Sequence, residues 1–206
     1  MKVSIKKVKR RPEEGAGATF YAEYPVFSPD EYETANPPAE SGEKKRGKTP
    51  KIRRSRMPLH ENLNRAVENF VESAAKSGKQ GEIVTVTNHI YRCDDSIISF
   101  SLDVARKSES SLVYIRRFCF NWDCKAGVLL PLSAVTGAYR KLKKENGGTS
   151  DYTISGGMLY MHKNTFTREA GQNVRRSQYK KFLSTAAYDL SQLENGAGDE
   201  CAAHTS

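Results

Sequence analysis

The residues of this 206-residue chain that could carry chemistry are few: four cysteines, four histidines and some aspartates placed near turns. Cys93, Cys119, Cys124 and His162 have the right donor atoms for zinc. Structural zinc, however, uses close pairs such as Cys-x2-Cys, twice over, and a single Cys-x4-Cys does not supply them. Reduced thiols are therefore the expectation, with Cys201 in a polar tail. His60, His89, His162 and His204 stand in no His-Glu-x-x-His or Gly-x-Ser-x-Gly pattern. Ser155-Gly156-Gly157 reads as a hairpin turn, not a phosphate loop or nucleophile elbow. Asp94-Asp95 and Asp123 fit turns, where a carboxylate accepts from nearby backbone N–H groups. No catalytic set, metal or cofactor is expected from these spacings.

Two other groups point to binding. Lys44, Lys45, Arg46, Lys48, Lys51, Arg53, Arg54 and Arg56 put eight cations into thirteen residues without an acid. Such a cluster releases counterions from nucleic acid or binds anionic lipid, with salt-dependent and sequence-independent affinity. It has no interleaved aromatic residue, so base stacking is not indicated. The competing reading is a solvated linker collapsed on the acidic block of residues 28–43. The second group is Tyr114, Phe118, Phe120 and Trp122, which alternate on one face of a strand with Arg116 between them. Such a face forms core when covered; left open, Tyr114, Arg116, Phe118 and Trp122 make a recognition surface for a protein or glycan.

The elements that would position these residues follow from periodicity. Val3 to Val8 suggests a short edge strand guarded by lysines, and Thr19 to Phe27 a second strand in which Pro25 favours an edge. Residues 28–57 hold four prolines, charge blocks and few large apolar side chains, which predicts an exposed, disordered insertion. From Pro58, Leu59, Leu63, Ala66, Val67, Phe70, Val71 and Ala74 form one helical stripe that Ser77-Gly78 stops. Ile83 to Tyr91, Ile97 to Arg106 and Leu112 to Trp122 read as a β-meander. Ile98, Phe100, Leu102 and Val104 alternate there with Ser99, Ser101 and Asp103 as in a half-buried strand. Pro131 to Glu145 suggests a strand end running into a short helix. Tyr152 to His162 suggests a hairpin, and Ser177 to Leu190 an amphipathic helix before a flexible tail, residues 191–206.

The run Phe120-Asn121-Trp122-Asp123, the turn Ala126-Gly127 and the stretch Leu130-Pro131-Leu132-Ser133-Ala134-Val135 have a further significance. In that order they resemble the extracytoplasmic domain of unknown function shared by lysozyme-sensing bacterial anti-sigma factors and the accessory region of peptidoglycan deacetylases. The likeness spans about residues 19–190, and Tyr152 to Tyr160 is similar to that family's late hairpin. Where family members carry a Gly-Gly-x-His-Gly-like stretch, this chain has Lys107-Ser108-Glu109-Ser110-Ser111. The resemblance implies a non-catalytic module that binds or senses a protein or cell-envelope partner.

Charge and hydropathy set the remaining bounds. The net charge of +9 resides mostly in residues 2–11 and 44–56. Mean hydropathy is -0.66, and no apolar run reaches the ~18–20 residues a membrane helix needs. No secretory h-region follows the basic start, so the simpler expectation is a cytoplasmic chain, the other being a piece of an exported precursor. The expected fold is a single α+β domain: an antiparallel meander sheet on one main amphipathic helix, with one or two shorter C-terminal helices. Residues 1–27 supply its first strands and 58–190 the remainder. Two functions follow: the binding or sensing module, or a cytoplasmic protein that holds nucleic acid or another polyanion through residues 44–56.

Overall fold

The computed structural model describes residues 1–12, 17–29, 58–108, 111–164 and 183–195. The basic segment 44–56 and most of the charged insertion lie outside these residues, as does the greater part of the 191–206 tail. Among the described residues, nine strands form two sheets. In the larger, β1 (Lys2–Arg10), β2 (Thr19–Ser28), β3 (Glu82–Cys93), β4 (Ile97–Ser108), β5 (Ser111–Asp123) and β6 (Val128–Leu129) lie in chain order. In the smaller, β7 (Tyr152–Ser155), β8 (Met158–Asn164) and β9 (Leu183–Asp189) do the same. The α+β class and the long helix α1 (Leu59–Lys76) are as expected, and α2 (Leu132–Val135), α3 (Tyr139–Glu145) and α4 (Leu190–Asn195) are short.

Three features depart from the sequence reading. First, the large sheet is not wholly antiparallel. The chain between β2 and β3 crosses through α1, so Phe20 to Ala22 pair parallel with Val84 to Val86. The β3 ladder stops at Ala22, which leaves Pro25 where β2 has a neighbour on its β1 side alone. Proline is tolerated there because no second ladder needs its missing N–H.

Second, β4 is buried on both faces. Ile98, Phe100, Leu102 and Val104 meet α1's side of the sheet, while Ser99, Ser101 and Asp103 are equally enclosed on the other. The alternation marks two different covers, not cover and solvent. Third, the part of the expected Ser177 to Leu190 helix that is described forms a strand from Leu183 to Asp189, with α4 beginning at Leu190, while residues 177–182 lie outside the described residues. Pairing with β8, from Asn164↔Leu183 to Met158↔Asp189, overrides a local pattern that fits both periods.

Leu63, Val67, Val71 and Ala74 of α1 seat the helix on Phe20, Ala22, Tyr24, Val84 and Val86. Asn64 fixes its position, accepting from Phe27 N–H and donating to Phe27 C=O, both at 2.8 Å. A second, smaller core joins Leu132, Leu142, Tyr152, Ile154, Leu159 and Met161. Gly78, just beyond the helix, lies so close to the sheet that a Cβ there would stand 2.5 Å from Ala18 Cβ and from Val84 Cγ2. Gly78→Ala is therefore expected to lower the unfolding free energy by about 1–3 kcal/mol, the usual cost of overpacking. Urea unfolding followed by far-UV circular dichroism measures it; a loss below about 0.5 kcal/mol rejects the close-approach account.

Candidate functional site

The small sheet meets the large one through polar groups. Strand β7 turns its outer edge, the one not paired with β8, toward the face of β4 and β5. Ile154 N–H donates to Ser99 Oγ at 2.9 Å, and Asn121 Nδ2 donates to Tyr152 C=O at 2.7 Å. Ser99 Oγ in turn donates to Asn121 Oδ1 at 2.7 Å. Two side chains thus stand in for a neighbouring strand and satisfy the backbone of a buried edge.

Farther along the same face, Arg117 grips Asp103 with both arms, Nε and Nη2 each 2.7 Å from a carboxylate oxygen. Asp103 also lies 3.6 Å from His89 Nε2. The pairing raises the Arg117 pKa above its ordinary value. His162, 2% exposed, sits between Thr153 Oγ1 (2.8 Å from Nε2) and Thr185 Oγ1 (3.1 Å from Nδ1), with its ring near Tyr91. Burial, reinforced by the Arg117 charge and opposed by Asp103, lowers its pKa to about 4. Burial also pushes the Cys119 thiol and the Tyr152 hydroxyl up. These groups hold one another: the imidazole faces hydroxyls, the carboxylate a guanidinium, and Cys119 stays protonated. A nucleophile needs a base within hydrogen-bond reach, and the described residues of this layer place none beside Cys119. Among the described residues, no group of three or more His, Cys, Asp or Glu side chains is placed to hold a metal.

On the opposite face lies the feature that sequence reasoning located only in part. α1 rests chiefly over β2 and β3. One helix is about 10 Å wide with its side chains, whereas six strands spaced about 4.8 Å apart span more than 20 Å. The β5 side of that face is consequently covered only by the flank of the helix. A groove of about 330 Å³ remains, lined by Phe70, Ser73, Ala74 and Ser77 of α1 and by Val104, Arg106, Tyr114 and Phe118 of the sheet. Phe70 packs edge-on against Phe118 and Phe120, at ring separations of 4.8 and 5.4 Å. The Arg106 guanidinium lies over Tyr114 at 4.9 Å, and that of Arg116 over Phe118 at 4.7 Å. Arg106 Nη1 donates to Ser77 C=O, but its Nε is buried with no hydrogen-bond partner among the described residues.

Of the aromatic-arginine set proposed from sequence, Tyr114, Arg116 and Phe118 are thus brought together here. Trp122 is not: it is 4% exposed and belongs to the main core with Leu63, Ile98 and Phe100. Nothing in the sequence indicated Phe70, Ser73 or Arg106 as groove residues, since their places depend on how far α1 reaches across the sheet. The lysines of β1 face α1 and β2, where Lys6 meets Glu68 and Lys7 meets Glu23, while Arg10 pairs with Glu72.

The Phe120-Asn121-Trp122-Asp123 run has a structural role throughout. Phe120 stacks on Phe100 at 5.0 Å, Asn121 ties the sheets, and Trp122 fills the core. Asp123 Oδ1 accepts from Lys125 and Ala126 N–H, turning the chain through Gly127, whose φ of 67° suits glycine. Asp94 does the same for Ser96 and Ile97.

Among solved structures, the chain is similar to a DUF3298 family protein from Pseudomonas aeruginosa PAO1, with TM-score 0.44 and 10% identity. The match covers 92% of this chain and 89% of that one. It is also similar to a DUF3298 family member from Bacteroides fragilis, with TM-score 0.44 and 8% identity, over 94% of this chain and 97% of the other. No protein-family model and no curated protein matches it. The likeness to anti-sigma factors and deacetylases rests on the sequence pattern alone.

Two outcomes test the polar layer. Asn121→Ala strands the Tyr152 carbonyl and the Ser99 hydroxyl, and is expected to cost about 1–3 kcal/mol in chemical denaturation. Combined with Ser99→Ala, the loss falls short of the sum of the two single losses; strict additivity would show that the residues do not act together. For His162, the folded pKa lies below the unfolded one, so the unfolded chain binds more protons between about pH 6.5 and 4. Stability therefore falls as pH drops through that window, by up to about 1.4 kcal/mol per unit. His162→Gln flattens this part of the profile, measured as unfolding midpoint against pH. An unchanged slope places the protonation elsewhere.

Proposed function

We propose that the chain is a non-catalytic binding module whose partner is a protein, held in the groove between α1 and the β4–β5 hairpin. The observation that carries this reading is the pair of guanidinium groups lying over aromatic rings beside Phe70, at a margin of the sheet that the helix leaves partly open. Aromatic rings supply apolar contact with little conformational entropy to lose, and arginine supplies fixed donors for carboxylates. An acidic segment with one or two apolar anchors complements both. The anchors fit against Phe70 and Phe118, and carboxylates meet Arg106 and Arg116. Arg116 already lies 3.8 Å from Asp151, so a bound acid would compete with or extend that pair. A neutral glycan offers stacking to the rings but no charge for the arginines, whereas an acidic peptide supplies both apolar anchors and carboxylates. The polyanion reading rests on residues 44–56, outside the described residues, while Lys6, Lys7 and Arg10 of β1 pair with acids of the fold.

A displayed library of random peptides panned on the full chain supplies the test. The enriched peptides are expected to be rich in Asp and Glu around an aromatic or leucine, with affinity falling as salt rises. Ser73 is exposed at the groove's lip, so Ser73→Trp should plug it without disturbing the core, and Arg116→Glu should repel the acids. Each is expected to weaken a selected peptide at least about tenfold, equivalent to about 1.4 kcal/mol. Failure to enrich any sequence, or peptides indifferent to both substitutions, rejects the groove as the binding site.

A further inference from the structure

Two cysteines lie near one another at the end of the large sheet away from the groove. Cys93 closes β3 and is paired across β4 with Ile98, which in turn faces Trp122 on β5. Its side chain packs on the main core. Cys124 follows the end of β5, in the turn that Asp123 caps, and packs on the same core. The turn folds back across the start of β4: Cys124 N–H donates to Ser96 C=O at 2.9 Å, and Cys124 Sγ lies 3.4 Å from the carbonyl oxygen of Asp94, the residue next to Cys93. Both cysteines are partly exposed, and neither is in a disulfide.

We infer that Cys93 and Cys124 form a reversible disulfide, a modification site that clamps the end of β3 to the turn after β5 and takes a low-molecular-weight disulfide as its oxidant. The exchange balances in two steps. The thiolate of one cysteine attacks the small disulfide, forming a mixed disulfide and releasing one thiolate. The second cysteine then attacks the protein sulfur of that bond, closing the Cys93–Cys124 link and releasing the other. The protein loses two electrons, the oxidant becomes two thiols, and the two cysteine protons pass to the released thiolates.

The surroundings set the rate. Burial, the nearby Cys93 and the carboxylates of Asp94, Asp123 and Asp95 hold the Cys124 thiol up at about 11, so exchange is slow near neutrality and quickens as pH rises. Cys119 lies on the other face of β5, facing a cleft beside Leu130 and Tyr152, and stays out of the reaction.

The experiment treats the native full chain with oxidised glutathione at pH 7 and at pH 9, followed by acid quench and mass mapping under non-reducing conditions. Cleavage on the N-terminal side of aspartate separates Cys119 from Cys124, because Asp123 stands between them. The expected product joins the Cys93 peptide to the Cys124 peptide, forms faster at pH 9, and reverts with excess dithiothreitol. Cys93→Ser and Cys124→Ser each abolish the link, and the remaining cysteine instead accumulates a glutathione adduct. The oxidised protein is expected to unfold at a higher urea midpoint than the reduced one, since the clamp shortens the free loop of the unfolded chain. Glutathione adducts on the unsubstituted chain without the link, a link made instead to Cys119 or Cys201, or no reaction at either pH would each overturn the assignment.

Discussion

The architecture depends on a strand edge that has no strand beside it. β7 is enclosed between its own small sheet and the face of the large one, so its outward N–H and C=O groups are shut off from water. A buried backbone group without a partner costs a substantial part of the few kcal/mol that separate folded from unfolded chains. Ser99 and Asn121 meet that requirement from a surface that would otherwise be apolar. Their polarity is therefore not a sign of solvent on that side of β4. It determines where the small sheet attaches and in which register, and Asp103, Arg117 and His162 extend the same layer along the interface.

The other face has the opposite problem, too much sheet for one helix. α1 covers the middle strands well enough for Leu63, Val67 and Val71 to be almost wholly enclosed. Near β5 its cover thins, and the aromatic ladder from Phe27 through Phe100 and Phe120 to Phe70 and Phe118 runs from the core out to the surface. The arginines at its outer end roof it with planar charge. A sheet margin can thus remain soluble while keeping a large apolar area near the surface.

What could be read in the sequence was what depends on neighbours along the chain. The α1 stripe, the β4–β5 alternation, the aspartate-led turns at Asp94 and Asp123 and the hairpin at Gly156-Gly157 all follow from local spacing. What depends on distant partners was hidden. The parallel joint of β2 with β3 has no local signature, and β9 carries a pattern that suits a helix equally well until β8 claims it. The candidate site divides the same way. Tyr114, Arg116 and Phe118 share a face by simple alternation, whereas the exclusion of Trp122 from that surface depends on its end of β5 lying in the main core. The contributions of Phe70 and Ser73 depend on the seat of α1, which no single segment encodes.

The parallel joint also bears on the order in which the molecule assembles. β3, β4 and β5 are linked by short turns and can pair almost as soon as the chain collapses, because closing a small loop sacrifices little freedom. Phe20 and Val84, by contrast, meet only after the whole connection through α1 has been drawn in. The meander is then the template and the β1–β2 hairpin the late arrival, docking along an edge already formed. Amide exchange would register this as slow exchange in β4 and faster opening at the β2–β3 seam. Because Phe20, Ala22, Val84 and Val86 of that seam belong to the main core, loosening it also opens the seat of α1.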